Sequence, residues 1–430
     1  MTTSHAEHGD SGHRHDHRGH DGHGHDTTGL LPVSDYLAGI LAAIRPLAPA
    51  RLGLEEAEGG VLAEDVAATT ALPSFDNSAM DGYAVHAADL AAATGGGPVA
   101  LPVTGEIPAG DTRTLEVAPG TCMRIMTGAL MPAGADAVVP VEWTDGGTRE
   151  ARFSRPVSAG NAIRRRGDDV ADGDILLTAG TRLGPPQVAL LAAGGHGSAL
   201  VRPRPRVAVI ATGNELTEPG TPLMPGRIWD SNSYLLAAAA RQAGAVAERH
   251  RVADDPQTVL AALADRAART DVLVTSGGVS MGGEHDVVKA ALESLGTVSF
   301  RKIAMQPGMP QGFGVLGPGQ TPIFTLPGNP VSAFVSFFLF VRPALAARQG
   351  LPAPWPAPTR AVLTEPVRSP AGRTSFLRAV LDPAEGMVTP LTGQSSHQLG
   401  ALAHANALIV VPQEATGMQA GEAADVISLP

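Results

Sequence analysis

Asp271-Val-Leu-Val-Thr-Ser-Gly-Gly-Val-Ser-Met-Gly-Gly-Glu-His-Asp286 decides the fold. Its apolar run, Val272, Leu273 and Val274, is short and unbroken, as in a strand buried on both faces. Gly277 and Gly278 then end it, as a parallel strand ends where backbone must come close to a ligand. Two other stretches share this construction, Arg206-Val-Ala-Val-Ile-Ala-Thr-Gly-Asn-Glu215 and Pro322-Ile-Phe-Thr-Leu-Pro-Gly-Asn-Pro330. Any one of the three is read equally well as a plain turn. All three together point to one crevice, because ligands of an open α/β sheet lie beyond the carboxyl ends of its strands. Thr212, Gly213 and Glu215 are therefore expected to converge with Ser276, Gly277, Gly278, Ser280 and Asp286, and with Pro327, Gly328 and Asn329. Asn329 should cap, and Pro330 should begin, the helix 331–341, whose free N–H groups would favour an anion.

Outward from these runs, strands alternate with helices across residues 201–350. Strand 207–211, a helix from Ser233, a strand near Val246, a helix from Pro256 capped by Asp255, strand 272–276, a helix from Asp286, strands near Val298 and over 323–326, and a helix 331–347 predict a doubly wound sheet. Proline-rich linkers over 202–206 and 351–358 bound it. Residues 351–430 read as a small β domain, with Ala407-Leu-Ile-Val-Val411 as one strand. Upstream, 71–164 breaks into short runs punctuated by Gly and Pro, a mostly β insertion. It interrupts a discontinuous helical linking domain, 29–70 and 165–200. There, a helix capped by Ser34, with Leu37, Ile40, Leu41 and Ile44 at helical spacing, should pack with the apolar stretch after Gln187. The fold class expected is multidomain α/β.

Composition narrows the function. A chain of 430 residues is too long for one ordinary core, and roughly two to four domains follow. A net charge of −11 and only 4% aromatic residues argue against nucleic acid, which needs a basic surface and stacking platforms. An anionic small ligand would need a local Arg/Lys cluster or a bridging divalent cation. The single cysteine, Cys122, excludes an internal disulfide. The most apolar run, 331–341, is about half the roughly 20 residues of a membrane span. No secretory signal opens the sequence, so a cytoplasmic protein is expected. Residues 1–28 carry His5, His8, His13, His15, His17, His20, His23 and His25. They form either a disordered tail without a ligand or a store or sensor for a transition metal such as Zn, Ni or Cu.

Outside the central sheet, three polar stretches stand out. Phe75-Asp-Asn-Ser-Ala-Met-Asp-Gly-Tyr-Ala84 places Asp81 before a glycine, and Arg124-Ile-Met-Thr-Gly-Ala129 carries Thr127. Asn161-Ala-Ile-Arg-Arg-Arg-Gly-Asp-Asp169 sets three guanidiniums beside two carboxylates, either a surface charge cluster or a clamp for phosphate and Mg²⁺.

With these stretches in order, the sequence resembles the molybdopterin molybdenumtransferase family, the molybdate-insertion enzymes that include the C-terminal domain of gephyrin. The motifs are PSFDNSAMDGYAV, GTCMRIMTGA, NAIRRRGDD, ATGNEL, VTSGGVSMGGEHD and LPGNPVSA. The resemblance covers about residues 30–430. It implies an elongated, four-part homodimer with its active cleft between subunits, which transfers molybdenum from molybdate to adenylylated molybdopterin with Mg²⁺ and releases AMP. By motif match it implies catalytic roles for Asp81, Thr127, Asp169, Glu215, Asp254, Asp286 and Lys302, with Glu215 and Asp286 facing Mg²⁺. It also implies substrate contacts from the three turns above, from Arg164 and Arg165, and from Arg378 and Ser396. Such a set is chemically coherent. Carboxylates alone would repel these anions, whereas a carboxylate-held cation and neighbouring Arg or Lys reverse that sign.

One departure stands out: the family commonly has lysines where this chain has Gln306 and Met309. Two other readings remain open at this level. The sheet domain also resembles the adenylyltransferases that activate molybdopterin with ATP, although those are generally lone domains. A non-catalytic scaffold or metal-handling protein would use the histidine tail instead.

Overall fold

The computed structural model describes residues 29–93, 97–277, 279, 287–352 and 357–430. The tail 1–28, Gly278, Ser280 and Asp286 lie outside the described residues. The three apolar runs form the strands Arg206–Thr212, Val272–Ser276 and Thr321–Leu326. They occupy the middle of a six-stranded sheet, ordered Val246–Val252, Arg206–Thr212, Val272–Ser276, Thr321–Leu326, Pro310–Leu316, Val298–Lys302. The first four strands run parallel and end together, with Thr212 beside Val252 and Ser276 beside Leu326. The last two pair antiparallel.

The strand Pro310–Leu316 is absent from the sequence expectation because Gly312 and Gly314 dilute its apolar run. Those glycines are what let it pair. A Cβ on Gly312 would strike the Thr325 hydroxyl and the Phe300 ring, and one on Gly314 the Thr297 carbonyl.

Both faces of the sheet are covered. Val259 and Leu263 of the helix Pro256–Ala267, with Val288 and Leu292 of Val287–Glu293, pack on Ala208, Ile210, Leu273 and Ile323. On the other face lie the helices Asn232–Gln242 and Pro330–Arg348. The latter matches the helix expected over 331–347 to within a residue at each end. It is the one helix among the described residues long and apolar enough to cross a membrane, and it is 72% buried as a core helix. A π turn, Phe337–Val341, precedes Pro343, whose missing N–H would break a regular ladder.

The N-terminal helix Val33–Ala43 also docks on this face, not on the helix Pro185–Ala193 as expected. Its stripe of Val33, Tyr36, Leu37 and Ile40 joins the central core, with Tyr36 edge-on to Phe340 at 4.9 Å. Pro32 occupies its N-cap position, and Ser34 lies inside the helix, bonded to Asp35. Pro185–Ala193 packs instead in a separate small core with Leu62, Leu183 and Val201. The 71–164 region holds a five-stranded sheet around Tyr83, Cys122 and Phe153. At the C-terminus, five strands from Thr359–Leu363 to Ala423–Ser428 pair in a closed ring, and Met305–Gln306 of the central region adds to its edge.

Candidate active site

The expected crevice exists. Thr212, Glu215, Ser276, Gly277, Gly328 and Pro330 line a cleft of about 130 Å³ at the carboxyl edge of the sheet. Gly213 lies beneath it with φ +150°, a conformation that other residues rarely adopt, and the Glu215 carboxylate sits 2.6 to 2.8 Å from where a Cβ would be. The carboxylate is therefore folded back over bare backbone. Asn232 binds the turns together, its Nδ2 donating to Ser276 Oγ at 2.8 Å and to the Gly328 carbonyl at 2.6 Å. Because that carbonyl can only accept, the amide is fixed with Oδ1 buried and unpartnered. Asn232 has no place in the sequence reading, which only begins a helix beside it, from Ser233. Asp230 does cap that helix, accepting from Ser233 N at 3.0 Å and Ser233 Oγ at 2.5 Å.

A second cluster sits at the mouth of the β insertion. Antiparallel pairing of Gly82 with Ile125 brings Asp81 within reach of Thr127, two residues past Ile125. Asp81 Oδ1 accepts from both the Thr127 N–H and its hydroxyl, each at 2.7 Å. These donors hold the Asp81 carboxyl below the usual carboxylate range, first through the backbone N–H and then through the hydroxyl. Its folded pKa is depressed, so this contribution is present at neutral pH and is lost as pH falls through the lowered value. Gly82 follows because any side chain there would meet the Val139 carbonyl. Nearby, Arg165 pairs with Asp76 at 2.6 Å, while Arg166 bonds Asp76 through its N–H and pairs with Asp172. The exposed Arg164 carries none of these pairs. Asp169 is exposed, its N–H bonded to the Leu72 carbonyl at 3.0 Å.

The C-terminal ring reaches the cleft through one loop. Ser396 accepts from Asn329 Nδ2 at 2.9 Å, and its carbonyl takes the Val331 N–H at 3.1 Å. Asn329 thus sits at the N-cap position without capping by its side chain, and a helix N–H expected to face an anion is already bonded. Arg378, only 1% exposed, supports this loop from behind. It donates to the carbonyls of Gly393 (2.7 Å), Ser395 (3.1 Å) and Gln398 (3.3 Å), and to Gln394 Oε1 (3.3 Å).

Asp254 is half-buried just past the strand Val246–Val252. Exposed Lys302 ends the far edge strand, three strands or about 14 Å from Ser276 at ordinary strand spacing. Beyond it, Gln306 lines a cavity of about 330 Å³ with Arg368, Ser375, Thr392 and Gln394. Glu215, Ser276, Gly277 and Gly328 are thus brought together, and Asp81 with Thr127. Among the described residues no hydrogen bond or ion pair joins the Asp81 cluster to the Glu215 cleft, and no three carboxylate, imidazole or thiol groups are gathered as for a metal ion.

Three family models match in order. They are the MoeA N-terminal region (domain I and II) over residues 31–195, a probable molybdopterin binding domain over 208–347, and the MoeA C-terminal region (domain IV) over 360–429. A molybdopterin molybdenumtransferase 2 of Mycobacterium tuberculosis (strain ATCC 25618 / H37Rv) is 47% identical over 397 residues, 90% of this chain and 97% of that protein. The molybdopterin molybdenumtransferase of Bacillus subtilis (strain 168) is 37% identical over 87% of this chain and 89% of its own length. A crystal structure of a molybdopterin biosynthesis MoeA protein from Pyrococcus horikosii superposes with a TM-score of 0.71 at 31% identity, covering 93% of this chain and 99% of that one.

Proposed function

The chain belongs to the MoeA family of molybdopterin molybdenumtransferases and is an enzyme that inserts molybdenum into molybdopterin. We propose that the metal arrives as molybdate, that the molybdopterin is adenylylated, and that AMP leaves in the same turnover. The observation that carries this reading is the Glu215 carboxylate held over Gly213 in a cleft built by three glycine-bearing turns. Such a cleft admits backbone close to a phosphorylated ligand. An adenylyltransferase acting alone would not call for the matched regions on either side of the sheet domain. Incubation with adenylylated molybdopterin, Mg²⁺ and molybdate, following AMP release, tests the proposal. A protein that binds the pterin but releases no AMP when molybdate is added would refute it.

Mg²⁺ takes one or two carboxylates and fills its remaining positions with water and substrate phosphates, and Glu215 suits that demand. Asp286, the other expected ligand, lies outside the described residues. Ser276, Gly277 and Gly328 would approach the phosphate, Asn232 would hold the turns in register, and Arg378 would act by placing Ser396. Arg164, Asp169, Asp254 and Lys302 would contact the substrate around the rim. We place the work in the cytoplasm, since a lone buried cysteine and a dithiolene substrate both suit a reducing compartment.

We also propose that the site is completed in a homodimer, Asp81 and Thr127 of one protomer facing Glu215 of its partner. Two exposed apolar groups support this: Phe75, Met80 and Leu130 beside Asp81, and Leu223, Met224, Ile228 and Trp229 beside the cleft. The tail 1–28 has no part in turnover on this reading, and its deletion is expected to leave AMP release unchanged in a steady-state assay.

Gln306 and Met309 stand where family members commonly carry lysine. Each ordered cation near a dianion adds a charge-assisted contact of about 1.5 to 3 kcal/mol, so restoring one is worth about tenfold in affinity or more. Gln306→Lys with Met309→Lys is therefore expected to lower the molybdate concentration needed for half-maximal AMP release. An unchanged or raised requirement at fixed pterin substrate would mean that these side chains do not face the oxyanion.

A further inference from the structure

The sheet's edge strand Val246–Val252 carries Arg249, whose guanidinium carbon lies over the ring of Tyr234, 3.3 Å from its centre. Tyr234 belongs to the first turn of the helix Asn232–Gln242. A carboxylate from a third element completes the contact. Glu218 follows the two-residue strand Leu216–Thr217, and its Oε1 accepts from Arg249 Nη2 at 2.9 Å and from the Tyr234 hydroxyl. We propose that Glu218, Tyr234 and Arg249 form a latch that fixes the Glu215-bearing segment against the sheet, making all three positioning residues for the cleft. The proposal rests on Glu215 belonging to the active site, as argued above.

The segment 214–229 needs such a fastening. Its own hydrogen bonds close it on itself: Ile228 N to the Glu215 carbonyl at 2.9 Å, Trp229 Nε1 to the Thr221 carbonyl at 3.2 Å, and Thr221 Oγ1 to the Glu218 carbonyl at 2.7 Å. Among the described residues, its side-chain bonds to the sheet and the neighbouring helix are those of Glu218. Only Leu216 and Thr217 separate Glu218 from Glu215, three steps of chain or about 10 Å at most, so a shift of one carries the other.

The groups also depend on each other. The Arg249 side chain is 24% exposed and its Nη1 is buried without a partner, so Glu218 and the aromatic face are what offset its desolvation. The Tyr234 hydroxyl donates to Glu218, a bond that raises its pKa further above the ordinary phenol value. A wholly exposed ion pair would contribute little. A half-buried guanidinium held between a ring and a carboxylate is a different case.

Trp229 reports on the latch directly, being 50% exposed and part of the same segment. The full chain carrying Trp143→Phe and Trp355→Phe leaves it as the sole tryptophan. In that background Arg249→Gln and Glu218→Gln are each expected to raise acrylamide quenching of Trp229 about twofold and to lower kcat/KM about tenfold, chiefly through kcat, as misplacement of a reacting group does. Arg249→Lys, which keeps the charge and loses the guanidinium, should recover part of both. Unchanged quenching overturns the latch, and so does raised quenching with kinetics within twofold of the parent. If Glu215→Ala is inactive while Arg249→Gln is normal, the latch alone fails. If Glu215→Ala is active, the reading of the cleft itself fails.

Discussion

Glu215→Ala and Asp81→Ala are each expected to slow AMP release by about 100-fold or more, as loss of a preorganised electrostatic group does in other active sites. Both side chains are exposed, and neither belongs to a core cluster, so the melting transition should stay near that of the parent. The informative experiment mixes the two inactive chains. If one protomer supplies Asp81 and its partner Glu215, a mixed dimer has one site with both residues intact and one with neither. Random pairing then restores about a quarter of the parental rate, as an isologous two-fold interface requires. If each site were built within a single chain, mixing would restore nothing. Near-parental activity of either single variant would remove that residue from the reaction.

Arg378→Met is expected to be the most damaging single change outside the cleft. It removes the donors that hold the carbonyls of Gly393, Ser395 and Gln398 and leaves a buried apolar chain where the guanidinium had tied that loop together. The cost is on the order of 3 to 5 kcal/mol, a large share of the 5 to 15 kcal/mol that holds a typical domain together. Calorimetry should show an earlier transition, and Arg378→Lys, which keeps one charge without the fork, should fall between. If Arg378 instead met the oxyanion directly, Arg378→Met would melt normally and lose only molybdate dependence. The two roles are thereby separated in one pair of measurements.

The cleft was legible in the sequence because backbone approach demands glycine, and Gly213, Gly277 and Gly328 punctuate apolar runs at matching places. Asn232 was not legible, because its role depends on Ser276 and Gly328, distant in sequence and adjacent only once the sheet forms. The same cause hid the strand Pro310–Leu316, whose glycines look like loop until Thr325 and Phe300 are seen pressed against them. For Arg378 the family resemblance implies a substrate contact, and nothing in Ser-Phe-Leu-Arg signals that the side chain is buried behind the Ser396 loop. Arg164, Arg165 and Arg166 read equally as a surface charge cluster or a clamp, because the sequence does not show that Asp76 and Asp172 engage two of the three. Local pattern reveals where chain must bend. It does not reveal which distant partner a side chain will meet.

The docking of the N-terminal helix has a consequence for synthesis. Leu31 exchanges backbone hydrogen bonds with Lys302 and Ala304, and Tyr36 lies against Phe340. The ribosome makes roughly 300 further residues after this helix before its partner is complete, which at 5 to 20 residues per second is about 15 to 60 s. Throughout that interval the stripe of Val33, Tyr36, Leu37 and Ile40 has no native surface to cover it. The nascent chain therefore carries an uncovered apolar helix through most of its synthesis, and its yield should depend on chaperone supply and translation speed more than the stability of the finished protein would suggest.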